Sequence, residues 1–306
     1  MLAEGNIAGW NSPFRQTAVS VSTSKQERMM KKKKIGFIDL FIDEWHANHY
    51  PDWFRKARRA EEFELGLAWE RAPFENRRPL EAWCRDFGMT PARSIEEVVE
   101  KSDAVCVLAP ANPEVHLELA DHALRSGKPV YVDKPFADSL RTAKEIFDIA
   151  EKYGTPLMST SALRCSDELL DGKVKALEPF LFSVTGGGRS FAEYAIHQLE
   201  MIVSVMGVNV RKLSLAGDPG KAVLTLQYDD GRLAVLNYAP RFPFSFAASG
   251  ATGSLVCPAV HNEFPNLINA MLDFFATGVS PIPKEQTLCI ADLLEKSVAL
   301  LNQSKL

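Results

Sequence analysis

A chain of 306 residues with 46% hydrophobic and 24% charged residues can bury a sizeable core and has room for two ordinary domains. Its formal net charge of -4 creates no global field that would gather nucleic acid or an anionic membrane, so a small-molecule ligand held in a local site is the expectation. Five cysteines (Cys84, Cys106, Cys165, Cys257 and Cys289), odd in number and without Cys-x-x-Cys spacing, suit reduced thiols and a cytoplasmic protein.

Residues 1–30 are polar and without period, and they read as a flexible N-terminal arm or an upstream-start artefact. The lysine run 31–34 before Ile35 imitates a signal peptide, but Asp39, Asp43 and Glu44 interrupt the apolar stretch too early. No segment reaches the roughly 18 uninterrupted apolar residues of a membrane span.

From residue 33 to 160 short apolar runs alternate with helical periodicity, the signature of βαβ units and a parallel sheet. Residues 34–40 predict the first strand. Tyr50-Pro51-Asp52 opens a helix to about Ala60, with the proline in the first turn, where its missing N–H costs nothing. A strand at 63–69, a helix at 78–87, a short helix at 94–101 and a buried strand at 104–109 follow. A helix at 113–125, a strand at 129–132, a helix at 139–153 closed by Gly154 and a strand at 156–159 complete the first half. Beyond about Ala162 the pattern turns to strands at 180–185, 211–216, 222–228 and 233–238, with turns such as Asp229-Asp230-Gly231 that predict antiparallel hairpins. Helices at 192–206, 267–276 and 286–302 are expected to cover one face. The fold class is therefore α/β, a Rossmann-like doubly wound parallel sheet over 31–160 followed by an α+β domain with a mostly antiparallel sheet over 161–306.

The segments Asp103 to His116, Ala123-Leu-Arg-Ser-Gly-Lys128 and Val132-Asp133-Lys134-Pro135 resemble the Gfo/Idh/MocA oxidoreductases, with Asp-Lys-Pro in place of the usual Glu-Lys-Pro. Glu193-Tyr-Ala-Ile-His197-Gln-Leu-Glu200, after Gly186-Gly-Gly188, is similar to that family's Asp-x-Gly-x-His-x-x-Asp helix. The resemblance implies NAD or NADP as cofactor, a sugar, polyol or related hydroxylated substrate, and Lys134 and His197 as the catalytic pair. It also implies a homodimer or homotetramer formed through the second-domain sheet.

Physical reasoning reaches Lys134 separately, because ligands of open α/β sheets lie beyond the carboxyl ends of the strands and Lys134 follows one. Residues 193, 197 and 200 share a helix face, so a glutamate there can orient the His197 imidazole. Arg164, Glu193 and His46 are candidates for holding substrate. On the cofactor side stand Asp39, Phe41, Glu70, Arg71, Pro110, Asn112 and Asp133, with Glu70 in the ribose-binding place.

One departure is serious. The glycine-rich turn expected after the first strand falls on Asp39, Phe41 and Glu44, which add bulk and negative charge where a pyrophosphate would approach. A carboxylate about 4 Å from a phosphate oxygen costs on the order of 4 kcal/mol at an effective dielectric near 20. A binding or regulatory protein that keeps the fold and cleft without the dinucleotide is thus the alternative. His46 and His49, with Asp43 or Glu44, have the spacing of a divalent-metal site, but polar loops of this kind are usually hydrogen-bonded or solvated, and no metal is assigned.

Overall fold

The computed structural model describes residues 31–303, and the arm expected over residues 1–30 lies outside them. Strand β1 (Lys33–Asp39) forms where Ile35, Phe37 and Ile38 are fully buried, as expected for a central parallel strand covered on both faces. It is followed by α1 (Trp45–Lys56), β2 (Phe63–Glu70), α2 (Leu80–Phe87), β3 (Thr90–Pro91), α3 (Ile95–Lys101) and β4 (Ala104–Val107). Then come α4 (His116–Leu124), β5 (Val130–Val132), α5 (Leu140–Tyr153) and β6 (Leu157–Met158). The strands pair in parallel in the order β3-β2-β1-β4-β5-β6. Strand order reverses between β1 and β4, and a ligand crevice opens at that switch point.

Two short helices, α6 (Asp167–Leu170) and α7 (Lys173–Ala176), lead to β7 (Pro179–Gly186) and the long α8 (Phe191–Met206). Strands β8 (Val210–Asp218), β9 (Lys221–Tyr228), β10 (Leu233–Tyr238), β11 (Ser245–Gly250) and β12 (Gly253–Cys257) complete a second sheet, ordered β12-β11-β7-β10-β9-β8. Helices α9 (Glu263–Thr277) and α10 (Lys284–Gln303) follow. The α/β class, with a Rossmann-like sheet and then a mostly antiparallel one, is as the sequence indicates.

Four details differ from expectation. Helix α1 begins at Trp45, one turn and more before Tyr50, because the Glu44 carboxylate caps its first amides, so Pro51 sits inside the helix. Strand β7 pairs with β10 in parallel, which makes the second sheet mixed. Strands β11 and β12 were not evident from the sequence, since Ala247, Ala248, Ser249 and Gly250 carry little β signal. Helix α9 does not join α8 and α10 on the second sheet. Its Leu267, Ile268, Met271, Leu272, Phe274 and Phe275 instead share a core with Ile35 and Phe37 of β1 and with Tyr50 and Phe54 of α1. Among the described residues no helix is long and apolar enough to cross a membrane, and all five cysteines are unpaired.

Candidate active site

At the carboxyl ends of β1, β4 and β5 lies a cleft of about 700 Å³, closed on its far side by α8 and by the start of α9. Lys134, His197, His46, Glu193, Phe41, Pro110 and Asn112 all line it, so seven of the residues singled out in the sequence are brought together. Lys134 follows β5 directly and is half-buried; its backbone N–H donates to Asp133 Oδ1 at 2.7 Å, while no hydrogen bond or ion pair of its ammonium is found among the described residues. The ammonium is therefore available to a ligand.

His197 reaches the cleft from the second turn of α8. The spacing suggested that Glu193 or Glu200 would orient its ring, but neither does. Glu193 pairs with Arg189, and Glu200 turns inward to Arg164 at 2.6 Å. Ser161 holds the ring instead, with Oγ 2.7 Å from Nδ1. A hydroxyl both donates and accepts, so it supports either tautomer. Burial, reinforced by Lys134 and His46 nearby, pushes the imidazole well below its usual pKa and keeps it neutral at pH 7. Close passage of the chain before α8 depends on glycine, since a Cβ on Gly187 would fall 1.9 Å from the Ala239 carbonyl oxygen.

His46 projects from the first turn of α1, and its Nδ1 bonds the Asp133 carboxylate behind it. Asp133 is fully buried and also accepts from Tyr131 Oη at 3.2 Å. Burial raises the Asp133 pKa, but His46 and Lys134 outweigh it and hold the group ionised, well below the usual carboxylate range. An ionised carboxylate only accepts, so His46 carries its proton on Nδ1. Trp45, His49 and Phe264 form an aromatic rim over this wall, with Trp45 and His49 stacked at 4.3 Å. Ser161, Tyr194, Phe244, Trp45 and Phe264 were not identified from sequence.

Arg164, expected to hold substrate, is buried away from the cleft between Glu200 and Gln286. Arg71 pairs with Glu118 at 2.7 Å. His116 spans the Phe136 and Ala109 carbonyls, each at 3.1 Å, and serves packing. Among the described residues no group of three or more His, Cys, Asp or Glu is arranged to hold a metal ion.

A dinucleotide meets two different ends here. Pro110, Ala111, Asn112 and Lys134 line the open cleft, so the end expected for a nicotinamide is unobstructed by them. The pyrophosphate turn does not fit. The α1 amides that would hold a phosphate already donate to Glu44, from His46 N at 2.8 Å and Ala47 N at 2.5 Å. Glu70, in the ribose-binding place, is buried and accepts from Ile42 N at 2.9 Å and Leu80 N at 3.0 Å. Asp39 accepts from Leu40 N and Ala109 N, while its Oδ2 is sealed without a partner. Its pKa is raised by burial first and by the Glu44 charge second.

Residues 47–161 match the Gfo/Idh/MocA family model, an oxidoreductase family with an NAD-binding Rossmann fold. An uncharacterised oxidoreductase of Schizosaccharomyces pombe is 30% identical over 125 residues, 41% of this chain and 32% of that protein. The chain thus matches about a third of that curated relative's length. An oxidoreductase from Agrobacterium radiobacter, solved with NAD+, L-tartaric acid and magnesium, superimposes with a TM-score of 0.71 at 16% identity, over 90% of this chain and 97% of that one. A 3-ketoreductase from Actinomadura kijaniata, solved with NADP and TDP-benzene, gives 0.68 at 17%, over 88% and 98%. At these identities the superpositions show the fold.

Proposed function

On the footing that residues 47–161 are those of a Gfo/Idh/MocA oxidoreductase with an NAD-binding Rossmann fold, we propose that the protein is an NAD(P)-dependent oxidoreductase of a sugar, polyol or related hydroxylated small molecule. The observation that carries this reading is the meeting of Lys134 and His197 on one cleft from opposite sides. The redox exchange itself belongs to the cofactor. This chain's residues handle the hydroxyl proton: neutral His197 accepts it, and the Lys134 ammonium holds the substrate oxygen by a charge-assisted hydrogen bond. Glu193 and the aromatic rim supply further contacts for a polar ring with apolar faces.

Calorimetry with NAD+, NADH, NADP+ and NADPH tests the proposal. Binding of at least one form, and loss of turnover in Lys134→Ala, are the expected results; no binding of any form would end the redox reading. The closed pyrophosphate turn favours a second reading, a binding or regulatory protein that uses the same cleft for a sugar-like ligand. Thermal-shift measurements with sugars alone and with added nicotinamide dinucleotide separate the two.

Self-association belongs to the same proposal. Along one row of the second sheet's outer face stand Val256, Ala247, Ser183, Val235, Thr225 and Ser214, one from each strand and none charged. Such an uncharged row suits packing against a second copy.

A further inference from the structure

We infer that His46 is an acid–base residue of the cleft, with Asp133 as the residue that positions it. The two are 87 positions apart in sequence, yet the fold sets the imidazole directly against a fully buried carboxylate. In the neutral ring the Nδ1 proton faces the carboxylate and Nε2 keeps its lone pair, and in the charged ring Nε2 carries a proton to give. No described residue bonds Nε2, and it is not among the sealed, unpartnered polar atoms, so it opens to the cleft that His46 lines. The ring is fixed by stacking on Tyr50, with centroids 5.1 Å apart and planes 11° apart, and by the edges of Trp45 and Phe264. A locked ring with one nitrogen on a carboxylate and the other facing a ligand is prepared for proton transfer.

The step balances without an oxidant. Nε2 takes a proton from a hydroxyl or an activated C–H of the ligand, the bonding pair stays on the ligand, and the imidazolium is neutralised by Asp133. Reverse transfer restores the starting state. The charged and titratable groups around His46 are Asp133, Glu44, Lys134, His197 and the Tyr50 phenol. The inference shares the cleft with the redox proposal but does not need the dinucleotide. It places a second imidazole beside His197, on the side where the glycine turn would have been.

The test is carbethoxylation of the full chain by diethyl pyrocarbonate, mapped by peptide mass, with exposed His122 as internal control. Wild type is expected to label at His46, and Asp133→Asn to slow that labelling at least tenfold relative to His122. Nitrogen-15 long-range spectra of wild type, which need no variant to fold, are expected to show His46 as the Nδ1–H tautomer. An unlabelled His46 beside a labelled His122, an unchanged rate in Asp133→Asn, or an Nε2–H tautomer would each overturn the inference. So would turnover that His46→Gln leaves unaltered. Failure of all nicotinamide forms to bind removes the redox proposal alone and leaves these readouts intact.

Discussion

Arg164 and Glu200 form an ion pair of 2.6 Å whose side chains are 7% and 4% exposed, joining the turn after β6 to the middle of α8. Thr160 Oγ1 adds a bond of 3.1 Å to the same Glu200 oxygen. Removing one partner leaves a buried charge uncompensated, at a typical cost of about 3–5 kcal/mol. Glu200→Ala is therefore expected to lower the unfolding free energy by about that much in urea, whereas Glu200→Leu with Arg164→Met should recover most of it. A loss below about 1 kcal/mol in the single variant would show that the pair is not sealed from water.

The glycine-turn replacement makes opposite demands on pH. At Asp43 burial raises the carboxyl, but hydrogen bonds from Arg78 and Asn48 win and bring the pKa to about 2. A depressed carboxyl stabilises the folded state above its ordinary value near 3.8, and that contribution, on the order of 2 kcal/mol, disappears as pH falls toward 2. Asp39 behaves in reverse, because its raised pKa makes the folded state bind the extra proton, so stability falls as pH rises above 3.8. Denaturation curves should show Asp43→Asn destabilising at pH 7 and near-neutral at pH 2. Asp39→Asn should stabilise at pH 7.

Glu44→Gly tests whether an internal carboxylate has taken the phosphate position at α1. Replacing a capping oxygen with glycine costs under about 1 kcal/mol, while two amides and the positive end of the helix dipole become free for an anion. Calorimetric affinity for NADH is expected to rise at least tenfold over wild type. An unchanged affinity would refute the idea that the Glu44 carboxylate occupies the phosphate position.

Much of this architecture is legible in the sequence because its segments obey one period at a time. The parallel strands are near-continuous apolar runs, and α5 shows both its Ser139 cap and its Gly154 stop. The start of α1 was hidden, since glutamate is an uncommon cap and Pro51 attracts the boundary toward itself. For the site, Lys134 and His197 could be found because each sits in a motif. Ser161 and Asp133 could not be assigned their partners, since the pairings span 36 and 87 positions and arise only when the chain is folded. The same holds for Arg164, whose burial reflects packing between segments rather than its neighbours.

If the second sheet's outer face joins two copies, charge at its centre should separate them. Val235 lies between Ser183 and Thr225, with its side chain on the face opposite the buried Ala234 and Leu236. Val235→Arg is expected to convert an oligomer to a monomer in light scattering while changing the unfolding midpoint little. A wild-type monomer at micromolar concentration would remove the basis for this prediction.

Helix α9 lies more than 200 positions from β1 in sequence, yet it supplies much of one lid of that strand's own core, and Arg58 fastens it through Asp273 at 3.1 Å and Asn269 at 2.9 Å. A fragment cut at residue 160 would thus leave Phe37, Tyr50 and Phe54 facing water and should precipitate when expressed. Split or permuted versions of this protein must carry residues 263–277 along with the first half, because the nucleotide-type unit is finished only when the chain comes home.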